Sequence, residues 1–389
     1  MDRSKLPLFL LFPAMSLAAC SGISASQPPS DVVRVKPSDR PLPPHEPTSE
    51  YPEAMNTEFC LGSCAEEEAR FREFAKQIQA LQTHQTSRRG QKVARGFHAK
   101  AHACLYGTME LNSSREPNTR FGIFADGQPK RDVWVRYSNG VGWSQADSEL
   151  DARGMAVKVM GVTGDRLTTD ETATQDFLMT NSPTPVGRNA EEFMKFAHAN
   201  ESGFFSGLGF LLTHPSTGAP ALMRTGAVPS SVTQNYFGGS AYHLGAHQAI
   251  KYAAKPCAGT KARDGGSHGD ADYLRDDLTA AAKEGVCYTM YVQYQVDPER
   301  TPIEHSSIEW TADASPFVAV ATITMPPQDI ADPRRAAFCD KLSYNPWHGI
   351  VPHQPMGHIN RARRFVYYAS ESGRAGGYEP HGFEGFDKK

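Results

Sequence analysis

The chain has 389 residues, a formal net charge of −3 and 39% hydrophobic residues. That length supports one large domain or two smaller ones with a sizeable core. The near balance of charge excludes an electrostatic case for a nucleic-acid partner.

The first twenty residues read as an export signal. Arg3 and Lys5 precede the apolar run Leu6 to Phe12, which resumes at Ala14 after Pro13 and is too short for a membrane span. Leu17-Ala18-Ala19-Cys20 follows, and small residues before a Cys at this distance resemble the lipobox of bacterial lipoproteins. The resemblance implies cleavage before Cys20, acylation of its thiol and a lipid anchor on the periplasmic side of a bacterial membrane. Ser21 after the Cys, where Asp would retain the protein at the inner membrane, implies the outer membrane. The alternative is an ordinary signal peptide with a chance Cys. Residues 21 to 55 hold eight prolines and few large apolar side chains, the composition of a semi-extended tether. The chain thus divides into a signal peptide (1–19), a proline-rich tether (20–58) and a folded domain (59–389).

Ser63-Cys64-Ala65-Glu66 has capping-box spacing, and Phe71, Phe74, Ile78 and Leu81 repeat at helical intervals, so the pattern predicts a helix over 64–83. Strand-like runs follow at 133–137, 155–159, 288–296 and 317–324, and helical patches at 189–199, 271–284 and 357–371. The apolar, glycine-rich stretch Gly203 to Leu212 fits a buried loop better than a lipid-touching surface. Strands mixed with segregated helices, without a βαβ rhythm, indicate an α+β fold with an antiparallel sheet or barrel. Besides Cys20, six cysteines remain. Cys60 with Cys64 and Cys257 with Cys287 are the plausible pairs, although six cysteines allow fifteen connectivities. No CxxC pair occurs, so the spacing does not describe a zinc site.

Several segments carry chemistry. His98 stands in an apolar run, Arg95 to Lys100, that reads as extended; alone it is as consistent with a hydrogen-bonded core histidine. On a strand, Trp134, Arg136 and Ser138 share one face, and an arginine there needs an anion, whether a cofactor carboxylate or a plain salt-bridge partner. Arg363, Tyr367 and Arg374 lie at offsets of four, seven and eleven, which on a helix fall on one face within about 40°. Two cations beside one phenol would favour the phenolate, whose unassisted pKa is about 10. An exposed basic helix face is the competing account.

Taken in order, these segments resemble the haem-dependent catalase family over roughly residues 90 to 375. Arg95-x-x-His98-Ala99-Lys100 resembles its distal-histidine strand. Val135-Arg136-Tyr137-Ser138 resembles its propionate arginine and the serine after it. Asp151-x-Arg153-Gly154-x-Ala156-Val157-Lys158 is similar to its Asp-Pro-Arg-Gly-Phe-Ala-Val-Lys motif, and Asp176 to Pro183 to the stretch with the distal asparagine, here Asn181. Trp310 to Thr324 resembles a later strand region, and Tyr344 to Pro352 the segment before the proximal helix. The resemblance implies an antiparallel β-barrel with surrounding helices and a buried pocket for haem b. Tyr367 would be the iron's axial ligand, supported by Arg363 and Arg374, while Arg95 and Arg136 would hold the propionates. His98 would move the peroxide proton, Ser138 would orient it, Asn181 would bond the distal oxygen and Asp151 would line the channel.

The chain departs from the family at Phe97, Ala101, Asn139-Gly140 and Thr184-Pro185-Val186, where Val, Gly, Thr-Val and Ile-Phe-Phe are usual. Its segment before Arg363 is short, and it stops at Lys389 without the family's C-terminal helical region. The expected activity is dismutation or reduction of hydrogen peroxide, with oligomer formation open. Altered channel residues make an organic or fatty-acid hydroperoxide peroxidase or isomerase the second reading. A non-catalytic, catalase-like binding lipoprotein is the third.

Overall fold

The computed structural model describes residues 60–169, 173–214, 226–263, 269–374 and 376–387. The signal peptide, the tether and Cys20 lie outside them. Among the described residues no helix is long and apolar enough to cross a membrane.

Nine antiparallel strands form one sheet: β1 (Ala101–Leu111), β2 (Lys130–Asn139), β3 (Arg153–Met160), β4 (Thr174–Thr180), β5 (Tyr236–Phe237), β6 (Tyr242–Leu244), β7 (Gln248–Pro256), β8 (Val286–Tyr294) and β9 (Val318–Met325). Their order is β5-β4-β3-β2-β1-β9-β8-β7-β6, and a further pairing of β5 with β7 closes eight of them into a barrel, with β6 appended to β7. Closure leaves the ring without an open edge. The interior is filled by alternate residues such as Leu105, Val135, Tyr137, Val157, Phe177, Tyr252, Tyr288 and Ile323, all buried. The predicted strands at 133–137 and 155–159 are the middles of β2 and β3, and those at 288–296 and 317–324 match β8 and β9 to within two residues.

Among the described residues six α-helices lie around the barrel: α1 (Cys64–Ser87), α2 (Ala190–Glu201), α3 (Phe204–Thr213), α4 (Tyr273–Glu284), α5 (Pro333–Lys341) and α6 (Gly357–Ser372). The expected capping box opens α1: the Ser63 hydroxyl accepts from the Glu66 N–H, and the Glu66 carboxylate accepts from the Ser63 N–H. Helix α1 packs on α6 through Ile78, Leu81 and Ala369, and Gln79 and Gln82 donate to the carbonyls of Ala369 and Ser370.

The stretch read as a buried loop is instead helix α3. Phe205 is 85% exposed and Leu212 66% exposed. Gly207 and Gly209 lower helix propensity and the stretch has no capping residue, so sequence signals favour a loop. Gly207 is needed where it stands, because a Cβ there would meet Asn200 of α2 at 3.1 Å.

Both anticipated disulfides form, Cys60–Cys64 and Cys257–Cys287, and a third joins Cys104 on β1 to Cys339 on α5 across 235 residues. A loop of that length strongly restricts the unfolded chain. The double variant Cys104→Ser/Cys339→Ser should lose about 2–5 kcal/mol of stability, read as a lower denaturant midpoint with a steeper slope, because the unlinked unfolded chain exposes more surface.

Candidate functional site

The outer face of β2, β3 and β4 is the floor of the site. In register, Arg136 pairs with Ala156 and Ala156 with Leu178, while Ser138 pairs with Gly154 and Gly154 with Thr180. Small residues in the middle strand leave room above it. Helices α1, α2, α3 and α6 close over this floor, and the enclosed cavity has a volume of about 360 Å³. Arg95, His98, Arg136, Ser138, Asp151, Asn181, Arg363, Tyr367 and Arg374 all line it. Cys20, outside the described residues, is the one expected site residue that cannot be placed.

His98 is not on a strand as the extended reading supposed. It sits ahead of β1 with φ +57°, in the left-handed region that few non-glycine residues adopt. Strand β2 and the turn after it hold it there. The His98 N–H donates to the Gly140 carbonyl at 2.8 Å, and Arg136 Nη2 donates to the His98 carbonyl at 2.9 Å. The ring contacts Ser138, with Nδ1 3.1 Å from Oγ. Burial, then the Arg136 charge, depress its pKa to about 4, while the Asn139 backbone works the other way. The ring is therefore neutral at pH 7.

Gly154 makes this placement possible, because a Cβ on it would lie 2.5 Å from His98 Nδ1 and 2.9 Å from Ser138 Oγ. Gly154→Ala should cost about 1–3 kcal/mol through overpacking. If His98 acts on substrate, the same change should lower turnover roughly a hundredfold by misplacing the ring. Unaltered turnover in a folded variant would show that the ring position does not matter.

Asp151 accepts from the Gly140 and Val141 N–H groups at 3.0 and 3.2 Å, yet burial raises its pKa to about 6. Asn181 is held by β3: its Oδ1 accepts from the Arg153 N–H at 2.8 Å, and its own N–H donates to the Arg153 carbonyl at 2.9 Å.

On the opposite side, Arg363 and Tyr367 face the cavity from α6, with the guanidinium carbon 5.9 Å from the phenol ring centroid. Asn360, one turn earlier and fully buried, accepts from Arg363 Nη1 at 3.0 Å and donates to the Ala241 carbonyl at 2.7 Å. Arg374 does not share their helix face. Helix α6 ends at Ser372, and Arg374 instead donates to the carbonyls of Asp340 and Leu342 at the end of α5. Arg95 reaches the same carbonyls and that of Cys339. The negative end of the α5 dipole thus gathers two guanidinium groups, and the Cys104–Cys339 disulfide ties that end to β1.

The electrostatics of this side are unbalanced. Arg136 is buried, Arg95, Arg363 and Arg374 are half-buried, and none has a carboxylate within ion-pair distance among the described residues. Burial pushes the pKa of Arg95, Arg136 and Arg374 down, Arg136 to about 10, but guanidinium groups stay charged at pH 7. Arg136 Nε is buried without a hydrogen-bond partner, as is the Tyr344 hydroxyl beside it. Such a set is built for an anion. These groups fit haem: cations and a free phenol for carboxylates, an apolar floor for the ring and a tyrosine flanked by one arginine for the metal. Tyr344 stood within a motif in the sequence, but only its unpartnered hydroxyl marks it as part of the site.

No protein-family model and no curated protein matches the sequence. Solved structures do. A fungal catalase, catalase A from Saccharomyces cerevisiae and a bacterial catalase each superpose with a TM-score of 0.59. The fold is that of the catalases. Identities are 17, 18 and 17%, over 78, 75 and 83% of this chain. The chain spans 67, 63 and 64% of the three catalases' own lengths, about two thirds. At such identity the likeness concerns the catalase-like fold, so chemistry must be argued from the cavity.

Proposed function

We propose that this chain binds haem b and processes peroxide, dismutating or reducing hydrogen peroxide. One observation carries the reading: four guanidinium groups without carboxylate partners among the described residues line the same cavity as a phenol on one side and a neutral histidine on the other. Tyr367 would ligate the iron through its oxygen, with the Arg363 guanidinium beside its ring. Arg95, Arg136 and Arg374 would receive the propionates, and Tyr344 can donate to one of them. When bound, haem supplies the iron redox chemistry by which two molecules of hydrogen peroxide become two of water and one of oxygen.

The chain's own residues handle the proton and the position of the substrate. Neutral His98 takes the peroxide proton on one ring nitrogen and returns it to the departing oxygen, while Ser138 fixes the ring through Nδ1. Asn181 offers its amide to the bound peroxide. Asp151, with its pKa near 6, lines the approach as a carboxylate at neutral pH. Three disulfides suit an oxidising compartment and so favour export. Anchoring through Cys20 belongs to the same proposal, and loss of fatty-acid labelling in Cys20→Ser tests it.

The deciding measurement is the absorption spectrum of the purified protein before and after adding haem, followed by oxygen release on adding hydrogen peroxide. A high-spin ferric spectrum with oxygen release is the expected result. Absence of haem uptake would overturn the reading and leave a binding protein on a catalase-like fold.

A further inference from the structure

The cavity also has an apolar side made by residues other than those assigned to haem and peroxide. Its outer part is lined by Phe193 and Phe196 of α2, Leu208 and Leu211 of α3, with Val186 and Leu150 nearby. Helix α3 packs chiefly on α2, where Phe196 and Phe210 have ring centroids 5.7 Å apart, so its cavity-facing leucines stand a layer outside the barrel floor. Leu208 and Leu211 are three residues apart and share that face. The helix contains no charged residue. Leu150, 53% exposed, also lines the cavity. An apolar track of lining residues, Leu150, Phe193, Phe196, Leu208 and Leu211, therefore leads from solvent at Leu150 into the cavity that His98 also lines. Hydrogen peroxide gains nothing from such a surface, whereas an alkyl chain is drawn to it by removal from water.

We infer that the α2–α3 side of the cavity is a binding subsite for a long apolar chain, and that a fatty-acyl hydroperoxide with its oxidised end at His98 is a further substrate class beside hydrogen peroxide. The inference rests on the haem reading for its reacting end, but the subsite itself is read from Leu208, Leu211 and the track beside them.

The test uses unreactive probes. Saturated fatty acids of increasing length, and linoleic acid, are titrated into the haem-loaded protein by calorimetry. Affinity should rise by up to roughly fourfold per methylene until the track is covered, then level off. Leu208→Asp/Leu211→Asp should abolish the length dependence, and Leu208→Met/Leu211→Met, which keeps volume and apolarity, should restore it. Haem content and unfolding temperature establish that each variant is folded. Should both pairs of variants fail to fold, the titration of the unaltered protein decides alone. Affinity independent of length, or no saturable binding, overturns the inference while leaving haem uptake and oxygen release intact. A protein that takes up no haem overturns the functional reading instead. The same length series and leucine variants in that haem-free protein still decide the subsite.

Discussion

Substituting His98 by alanine should leave haem content near normal and lower peroxide turnover by a factor on the order of a hundred to ten thousand, the range of a lost general acid–base. The ring itself contacts Ser138, and the bond from Arg136, which is proposed to hold a propionate, goes to the His98 backbone carbonyl that alanine keeps, so removal of the ring should not empty the cavity. The pH profile separates this role from mere packing. With a pKa near 4, the ring is a neutral base at every pH above that value. Turnover should therefore have an acid limb near pH 4 that disappears in His98→Ala. Stability carries the opposite trace. Because the folded pKa lies below the usual 6.5, the unfolded chain binds the proton first as the pH falls. His98 thus contributes a loss of stability between pH 6.5 and about 4 and nothing above it, so His98→Ala should unfold with a shallower pH dependence in that window. Retained turnover in the variant would remove His98 from the mechanism.

The barrel was legible because its strands alternate. Val133, Val135 and Tyr137 point inward and Trp134, Arg136 and Ser138 outward, a period-two pattern plain in the residue order itself. Helix α1 was legible from its cap and apolar spacing, and α2, α4 and α6 as helical patches. What escaped was decided by contacts distant in sequence. Strands β1 and β7 and helix α5 carry polar residues on faces that the rest of the fold covers, as His102 is buried against Ser231 and Asn139. The Cys104–Cys339 pairing depends on α5 lying over β1. The left-handed backbone at His98 was invisible because it is imposed by Gly140 and Arg136 on β2 and its following turn. Helix α3 reads as a loop because it lacks both caps and charged residues. Nine of the residues that the sequence singled out line one cavity. The departure of Arg374 from the helix face was not legible, because the end of α6 is set by packing and the carbonyls that capture the guanidinium belong to α5.

Replacing Tyr367 by phenylalanine should produce the largest loss of haem. Phenylalanine keeps the ring and its packing on α6 but has no oxygen to offer iron. The apo protein should therefore unfold within about 1 kcal/mol of the parent, while the haem retained on purification drops severalfold or more and any remaining spectrum shifts away from that of a tyrosinate complex. The argument depends on Arg363. Arg363 is the guanidinium whose contact with the Tyr367 ring is direct, so it helps to position the proposed ligand. Arg363→Gln should accordingly weaken haem binding less than Tyr367→Phe but in the same direction. Arg374→Gln should act through the propionate side and leave the spectrum unchanged. A haem content measured as pyridine haemochrome, read with the absorption spectrum, distinguishes the three. If Tyr367→Phe keeps both haem and spectrum, the metal ligand lies elsewhere in the cavity, and the pairing of phenol with arginine on α6 is no more than a helix face.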